Sequence, residues 1–491
     1  MQTLIKDIAI IGTGFGGLGM AIKLKQAGHD DFVILEKGAS SGGCWRENSY
    51  PGAACDVPSL LYSFSFEPKT DWSRAFAPQP EIESYLKHCE SKYELSNNIQ
   101  FDTEVVTAVF DAEVGRWLLT TANGQQICAR IFISACGQLS QPAMPHLKGI
   151  ENFTGKVMHS ARWDHKHSLK GKKVAVIGTG ASAIQFVPEI AKEVETLHVL
   201  QRSAPYILPK PDRAYSDKEK QRFESSPLWQ KICRLGVYLT HESRALAFTQ
   251  FQQLMRASQA KCARHMKNTI KDPELRKKFT PDYDIGCKRV LISNNYYPAF
   301  TQANVSLETE SIDTITSQGI RLKDGREIEA DTLIYGTGFK ATEFLTPMEV
   351  TGLRGKTLNH EWYQGAEAYL GITVKDFPNF FMLYGPNTNL GHSSIVYMLE
   401  SQIHYILNAV EILKTDKLKY LNIKPQTQDQ FNQRVQNKLR NTVWENNCIS
   451  WYKNADGKNT VNWPDFTFKY RSQTRQLNLN DYHLIPSKLE K

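Results

Sequence analysis

Two short apolar runs, each followed by a glycine-rich turn, stand out in the pattern of hydrophobic and polar positions. They are DIAII at residues 7–11 and KVAVI at residues 173–177. Apolar runs of about four to eight residues without alternation are typical of strands buried on both faces of a parallel sheet. Each run leads into apolar residues at helical spacing and then into a second apolar run, DFVILE at 31–36 and TLHVL at 196–200. The pattern therefore predicts an α/β protein with two strand–turn–helix–strand units.

A polar stretch with apolar residues at helical spacing interrupts the second unit. It covers residues 213–285 and contains LWQKICRLGVYLTHESRALAFTQFQQLMRAS. The spacing predicts amphipathic helices, and the stretch lacks a run of glycines like those that follow the two strands. We therefore predict a helical insertion that packs on the body of the protein. A helix lying on a membrane surface is the alternative.

The first glycine turn, GTGFGG, has the spacing of a dinucleotide-binding loop. Gly12 permits the tight turn, Gly14 lets the backbone approach a pyrophosphate closely, and Gly17 lets the helix pack on the strand. Gly16 belongs to the same predicted binding loop. The free N–H groups at the helix start favour phosphate. Glu36 ends the next strand, where a carboxylate can accept hydrogen bonds from the ribose hydroxyls of an adenosine and repels a 2′-phosphate. This site is therefore predicted to hold FAD or NAD rather than NADP.

The second glycine turn, GTGASA, repeats this arrangement with the opposite charge. Its residues, which we predict to bind a nucleotide, are Gly178, Thr179, Gly180, Ala181, Ser182 and Ala183. Arg202 follows Gly178 at the spacing that separates Glu36 from Gly12. An arginine there can form charge-assisted hydrogen bonds with a 2′-phosphate, and Ser203 and Lys288 are further donors. The second site is therefore predicted to prefer NADPH over NADH.

Composition excludes several other classes of protein. The chain has 491 residues and a formal charge of +8, without a block of lysines or arginines, so no nucleic-acid partner is expected. The nine cysteines are scattered without a Cys-x-x-Cys pair. This argues against a disulfide framework or a metal site and fits a reducing cytoplasm. Because neither a long apolar run nor a signal-peptide pattern is present, we expect no stable membrane insertion.

Two longer signatures are more specific. The first, FTGKVMHSARWD, lies between the two glycine turns and has its fixed positions at Phe153, Gly155, His159, Trp163 and Asp164. The second, GGCWRENSYPGAACD, covers residues 42–56. Both resemble, at every fixed position, the signatures of the type I Baeyer–Villiger monooxygenases, which are class B flavin-dependent monooxygenases. Three further stretches are similar to that family: Asp331–Phe339 (with Gly336 where alanine is common), Gly385–His392 and Ser450–Pro464.

The resemblance implies two Rossmann-like domains. FAD would bind residues 1–144 and 341–491, NADP would bind residues 145–212 and 286–340, and the helical insertion of 213–285 would cover the substrate entrance. The implied reaction uses NADPH and dioxygen to convert a ketone into an ester or lactone. In this family an anionic flavin peroxide attacks the carbonyl carbon. The partners would be a small-molecule ketone and dioxygen, while the ketone itself and the oligomeric state stay open.

The resemblance also assigns residue roles. Arg289 would stabilise the flavin peroxide and Asp56 would position that arginine, while Lys288 would face the NADP phosphate. Trp451 is similar to a tryptophan near the nicotinamide ribose. The signature around His159 and Trp163 would act as a joint that couples the domains. The residues matched to FAD contacts are Cys44, Trp45, Arg46, Glu47, Asp56, Tyr62 and Val105.

Two alternative functions stay open. Related flavin monooxygenases oxidise nitrogen or sulfur and share much of the first signature, but they usually lack the Trp163-Asp164 ending. A non-catalytic flavoprotein that senses NADPH is the other alternative. Disulfide reductases also carry two dinucleotide sites, but the absence of a Cys-x-x-Cys pair argues against that class.

Overall fold

Two parallel-stranded sheets organise the computed structural model, which describes residues 3–415, 417–446, 448 and 450–487. The strands within these residues are labelled β1 to β20 in chain order. They are Leu4–Ile11, Phe32–Leu35, Ile99–Gln100, Val105–Asp111, Arg116–Thr121, Gln126–Ser134, Lys156–His159, Lys173–Ile177, Thr196–Leu200, Ile207–Leu208, Leu291–Ile292, Val305–Glu308, Ile312–Thr316, Gly319–Leu322, Glu327–Glu329, Thr332–Tyr335, Glu349–Thr351, Phe380–Met382, Leu418–Ile423 and Tyr482–Pro486.

The α-helices of the same residues are labelled α1 to α14. They are Phe15–Gln26, Cys44–Glu47, Gln79–Lys92, Ala183–Ile190, Asp217–Ser225, Pro227–Ser243, Ala245–Thr249, Met255–Thr269, Pro273–Lys278, Tyr296–Ala299, Leu358–Glu361, Ile395–Thr415, Pro425–Leu439 and Thr467–Gln473.

The first sheet has the order β17-β4-β5-β6-β1-β2-β3, with β18 beside β6. Strand β1 is parallel to both β2 and β6, while β4, β5 and β6 form an antiparallel meander. Ile10 and Ile34 belong to the core that includes α1 and α12. Ala9 and Val33, one position earlier, face a second core with Trp117. Side chains alternate between two buried faces, which explains why the strands have continuous apolar sequences.

The second sheet has the order β12-β9-β8-β16-β7, and all of its pairs are parallel. Its central strand β8 is the run KVAVI, and α4 follows it after the second glycine turn. Parallel strands bring their carboxyl ends to the same edge of a sheet, so the turns after β8, β9 and β16 meet there. The predicted α/β class with two Rossmann-like units is confirmed.

The stretch between the two parts of the second sheet contains α5 to α9. The expectation that its apolar residues pack on the body is wrong for one face of α6, where Leu228, Ile232, Leu235 and Leu239 are exposed. The other face of α6 contacts the body instead, through the polar side chains of Gln230 and Arg234 and through the partly buried Trp229 and Cys233. In the described part of the chain, none of the helices is both long enough and apolar enough to cross a lipid bilayer.

The cysteines depart in part from the sequence expectation. Cys287 and Cys448 form a disulfide, with their Cα atoms 6.4 Å apart and a sequence separation of 161. The sequence argued against a disulfide framework and did not predict this single bridge, because folding brings together two cysteines that no short motif connects. The other seven cysteines of the described chain are free thiols.

Candidate functional site

The first glycine turn lies where β1 ends beside β6. Gly12 has a φ of +98°, and a Cβ added to it would lie 2.8 Å from the carbonyl oxygen of Ala135. A Cβ at Gly17 would collide with the carbonyl oxygen of Gly12, and one at Gly16 would lie 3.3 Å from the Leu383 side chain. At Gly14, where α1 begins, the nearest atom to an added Cβ would be the Cα of Gly43 at 3.7 Å. The turn is therefore closed toward the protein and open at the helix start, which is the shape that a pyrophosphate requires.

Glu36 holds this turn from the end of β2. Its Oε2 accepts hydrogen bonds from Thr13 N at 2.9 Å and Thr13 Oγ1 at 2.7 Å. Its Oε1 accepts from Gly38 N at 2.8 Å and from Arg46 Nη1 at 3.0 Å. Glu36 is buried, so these donors compensate for the loss of water around its carboxylate.

The residues matched to further FAD contacts surround the same turn. Arg46 bridges Glu36 and Glu47, with 3.0 Å to each carboxylate. Trp45 Nε1 donates to Tyr62 Oη at 3.1 Å, and the Tyr62 ring packs 5.1 Å from that of Phe15 in α1.

Two other matched residues flank this group. Cys44, which begins α2, follows Gly43, and a Cβ at Gly43 would lie 2.9 Å from the Cα of Gly14. Val105 is buried at the start of β4, two residues after Thr103, whose backbone N–H donates to Glu36 O at 2.8 Å.

The second glycine turn repeats this geometry where β8 ends. Gly178 has a φ of +106°, and a Cβ there would lie 2.6 Å from the carbonyl oxygen of Gly336. A Cβ at Gly180 would lie 3.7 Å from the same oxygen. Gly180 and Ala181 are exposed, whereas Ala183 is buried at the start of α4. Thr179 Oγ1 donates to Ser203 O at 3.3 Å, which links the turn to the end of β9.

Arg202 and Lys288 concentrate positive charge beside this second turn. Lys288 Nζ donates to Ser203 Oγ at 3.0 Å and lies 4.3 Å from the centre of the Tyr283 ring. Burial lowers the pKa of Lys288, and the charge of nearby Arg202 lowers it further. Two like charges held together cost energy that an anion between them relieves, so this corner suits a phosphate group.

Arg289 and Asp56 form an ion pair. Arg289 Nε and Nη2 donate to Asp56 Oδ2 at 3.0 and 2.5 Å. The charge of Asp56 raises the pKa of Arg289 against the effect of burial. Burial acts to raise the pKa of Asp56, but the charge and hydrogen bonds of Arg289, aided by Lys210, outweigh it and lower that pKa. Both groups are therefore ionised, and the neighbouring side chains of Lys288 and Arg289 serve different corners of the site.

Three residues around this pair were missed by the sequence analysis: Lys210, Tyr384 and Tyr452. Each contributes to the electrostatic environment of Arg289 or Asp56. Tyr384 Oη donates to Asn389 Oδ1 at 2.6 Å, and Tyr452 is buried with its ring centre 4.4 Å from that of Trp451. The two tyrosines could have been suspected from the sequence, because they lie in or beside stretches that resemble the family. Their closeness to Arg289, however, is visible only in the fold.

The first signature lies along β7 and the turn that follows it. A Cβ at Gly155 would collide with Asp331 O, and Phe153 packs in the core under β16. His159 Nδ1 accepts a hydrogen bond from Ala161 N at 3.0 Å. The Trp163 ring centre is 5.4 Å from that of Phe186 in α4, and Lys156 Nζ donates to Asp164 Oδ2 at 2.6 Å. These residues build the edge of the second sheet.

The two signatures meet across the boundary between the sheets. Arg162 Nη1 donates to Glu47 Oε2 at 2.9 Å, and Ser49 Oγ lies 2.8 Å from His165 Nε2. Gln185 of α4, which sequence reasoning missed, accepts from Tyr50 Oη at 2.9 Å. Its Nε2 also donates to Ala54 O at 2.9 Å. The segment that carries Asp56 is thus attached to the helix behind the second glycine turn.

Comparisons with known proteins agree with this geometry. A model of the pyridine nucleotide-disulphide oxidoreductase family matches residues 9–227. A Baeyer–Villiger monooxygenase of Pseudomonas aeruginosa is 51% identical over 484 residues, which cover 98% of this chain and 92% of the relative.

Solved structures are similar over the same extent. An oxidized steroid monooxygenase bound to NADP is 28% identical, with a TM-score of 0.88, covering 98% of this chain and 100% of that one. The OTEMO complex with FAD and NADP is 25% identical, with a TM-score of 0.88 and the same coverage.

Proposed function

The chain belongs to the family of Baeyer–Villiger monooxygenases, and on this premise we propose that Arg289 and Asp56 form the centre that inserts oxygen into a ketone. The chain is an FAD-containing, NADPH-dependent enzyme that converts ketones into esters or lactones. The observation that carries the proposed centre is the ion pair of Arg289 with Asp56, in a segment that α4 holds through Gln185. Lys210 beside Asp56 leaves this group of three with a net positive charge.

The two glycine turns fit the two cofactors. The open cradle at Gly14 and the buried carboxylate of Glu36 suit FAD, and the paired cations Arg202 and Lys288 suit the 2′-phosphate of NADPH. When bound, NADPH supplies a hydride to the flavin, and the reduced flavin activates dioxygen. We keep the division proposed from sequence, with FAD in residues 1–144 and 341–491 and NADP in 145–212 and 286–340.

Arg289 is proposed to stabilise negative charge on oxygen during attack on the ketone. An arginine stays protonated at every working pH, and the charge of Asp56 raises its pKa further. A fixed cation beside a developing oxyanion costs no reorganisation during the reaction, which is why such groups contribute strongly to catalysis. Asp56 is proposed as a positioning residue, because its carboxylate fixes the guanidinium through two hydrogen bonds.

Further roles follow from the contacts of each residue. Trp451 and Tyr452 are proposed to border the nicotinamide, since Tyr452 lies near Arg289. His159 and Trp163 are proposed to act as a joint, because their segment contacts both α4 and the segment of Glu47. We propose a cytoplasmic location, which the seven free thiols of the described chain favour.

The test is the product formed by Arg289→Ala. Wild-type enzyme, Arg289→Lys and Arg289→Ala are supplied with NADPH, air and a panel of linear, cyclic and aryl ketones, and products are identified by mass. We expect wild-type enzyme to add one oxygen as an ester or lactone. We expect Arg289→Ala to lose about a hundredfold or more in ester formation while still oxidising NADPH, with Arg289→Lys in between.

Two outcomes would contradict the proposal. Equal ester formation by Arg289→Ala and wild-type enzyme would remove Arg289 from the centre. Oxidation of amines or sulfides, with every ketone left unreacted, would favour the alternative nitrogen or sulfur oxygenase.

A further inference from the structure

Helix α6 of the insertion is attached to the body through polar side chains. Gln230 Nε2 donates to Lys69 O at 2.7 Å, and Arg234 Nη2 donates to Ser63 O at 3.0 Å. Nearer its end, the hydroxyl groups of Tyr238 and Thr467 lie 3.1 Å apart, and Glu242 Oε2 accepts from Thr467 Oγ1 at 2.8 Å. The inward face of this helix combines these polar contacts with the partly buried side chains of Trp229 and Cys233, which pack against the core.

The outward face of α6 is apolar. Leu228, Ile232, Leu235 and Leu239 are exposed by 69%, 50%, 54% and 56%. Their spacing of four, three and four residues places them within an arc of about 60° on a helix of 3.6 residues per turn. They form a continuous stripe about 16 Å long. We call these four residues the outer stripe.

The outer stripe departs from the usual arrangement of a helix on a soluble protein, because four of its large aliphatic side chains face solvent rather than the core. Single exposed apolar side chains are common, but a contiguous row of them marks a surface that binds another apolar surface. Two further residues that follow α6 in the chain, Phe251 and Leu254, are each 55% exposed. The insertion thus presents more apolar surface than its own packing requires.

The charge of the insertion indicates which kind of surface binds the outer stripe. Residues 225–271 contain eight lysines and arginines but only one acidic residue, Glu242, which is buried and bonded to Thr467. Lys231, Arg244 and Lys261 are among the exposed cations. The 213–285 stretch carries a net charge of +7 out of +8 for the whole chain. A second copy would bring the same positive charge to the stripe, whereas an anionic surface would be attracted.

We propose that α6 docks this enzyme on a membrane surface that contains anionic lipids. The outer stripe would enter the boundary between head groups and acyl chains, and exposed cations of the insertion, among them Lys231 of α6, would contact lipid phosphates. An apolar helix face on a segment rich in cations is a recurrent design of helices that lie in a membrane interface. The polar contacts of Gln230, Arg234 and Glu242 with the body hold the helix in that orientation.

Vesicle flotation of the full-length, flavin-loaded enzyme tests this proposal. The vesicles are pure phosphatidylcholine or phosphatidylcholine with about a third phosphatidylglycerol, at low and high salt. We expect flotation with the anionic vesicles at low salt, and about tenfold weaker binding to neutral vesicles or at high salt. The variant Ile232→Ser with Leu235→Ser is expected to bind the anionic vesicles at least about tenfold more weakly than wild-type enzyme.

The matched control removes exposed apolar side chains elsewhere. Val114→Ser with Tyr363→Ser changes residues that are 60% and 85% exposed outside the insertion, and we expect it to float like wild-type enzyme. Flavin content and far-ultraviolet circular dichroism verify that both variants are folded. Absence of flotation by wild-type enzyme would overturn the proposal. Flotation of the stripe variant equal to that of wild-type enzyme would also overturn it, and so would wild-type binding to neutral vesicles as strong as its binding to anionic ones. A dimer seen by analytical ultracentrifugation that only the stripe variant dissociates would instead assign the stripe to a second copy.

Discussion

Arg289 donates two hydrogen bonds to one oxygen of Asp56, through Nε at 3.0 Å and Nη2 at 2.5 Å to Oδ2. A guanidinium has five N–H donors, so this pairing leaves its Nη1 edge out of the contact with Asp56. The pair therefore fixes the direction of the guanidinium while leaving part of it to face a reacting oxygen. This geometry supports separate roles, with Arg289 carrying the charge and Asp56 setting its position.

Replacement of Asp56 tests its positioning role. Asp56→Ala removes both hydrogen bonds, and we expect kcat for ester formation to fall about ten- to hundredfold because the guanidinium loses its direction. Asp56→Asn keeps an acceptor oxygen, so we expect a smaller loss. The measurement is steady-state ester formation with NADPH oxidation followed in parallel. A rise in the KM for the ketone with kcat unchanged would contradict a role in positioning Arg289.

Arg202 and Lys288 are expected to select NADPH. Either residue changed to Ala should raise the KM for NADPH about ten- to hundredfold, because one charge-assisted hydrogen bond to the 2′-phosphate is lost. The KM for NADH should change little. Arg326→Ala is the control, since Arg326 also lies near the second sheet but pairs with Asp324 and Glu308. An unchanged ratio of the two KM values in Arg202→Ala would show that another residue reads the phosphate.

Gln185 is expected to couple the two nucleotide-binding parts. Gln185→Ala removes its hydrogen bonds to Tyr50 and Ala54, and each group left unpaired costs about 1–3 kcal/mol. We expect a lower free energy of unfolding. We also expect fewer molecules of ester to be formed for each NADPH that is oxidised. Lys192→Ala, which breaks an exposed ion pair just beyond the same helix, should change neither. If Gln185→Ala forms as much ester per NADPH oxidised as wild-type enzyme, this helix does not couple the two nucleotide-binding parts.

His241 at the end of α6 gives a prediction about pH. Burial lowers its pKa to about 4, and the charge of Arg244 acts in the same direction. Because the unfolded chain binds this proton near pH 6.5, stability due to neutral His241 is present above pH 6.5 and is lost as pH falls toward about 4. The total loss is at most about 3 kcal/mol.

The comparison with His241→Gln isolates this contribution. Urea unfolding of both proteins between pH 7.5 and 4.5 should show wild-type stability falling relative to the variant as pH is lowered. His404→Gln, at an exposed position of α12, is the control substitution. A pH-independent difference between wild-type enzyme and His241→Gln would contradict the buried, neutral state of His241.

The two nucleotide turns and their order follow from local sequence alone. Short-range sterics make Gly12 and Gly178 necessary where a strand turns into a helix, and both have a positive φ. Glu36 and Arg202 each follow the next strand at the same spacing, so the charge at each site is also a local property. These features could be predicted because they depend on neighbours within about 25 residues of the chain.

Contacts between residues that are distant in sequence could be read only from the fold. Asp56 and Arg289 are separated by 233 residues, and without the resemblance to a family no local pattern would pair them. Gln185, Tyr384 and Lys210 escaped notice for the same reason, and so did the partnership of Cys287 with Cys448. Periodicity likewise revealed an apolar row on α6 but not its direction, because helical spacing fixes which side chains share a face and not which face the body covers. The polar contacts of the opposite face with Lys69, Ser63 and Thr467 decided that.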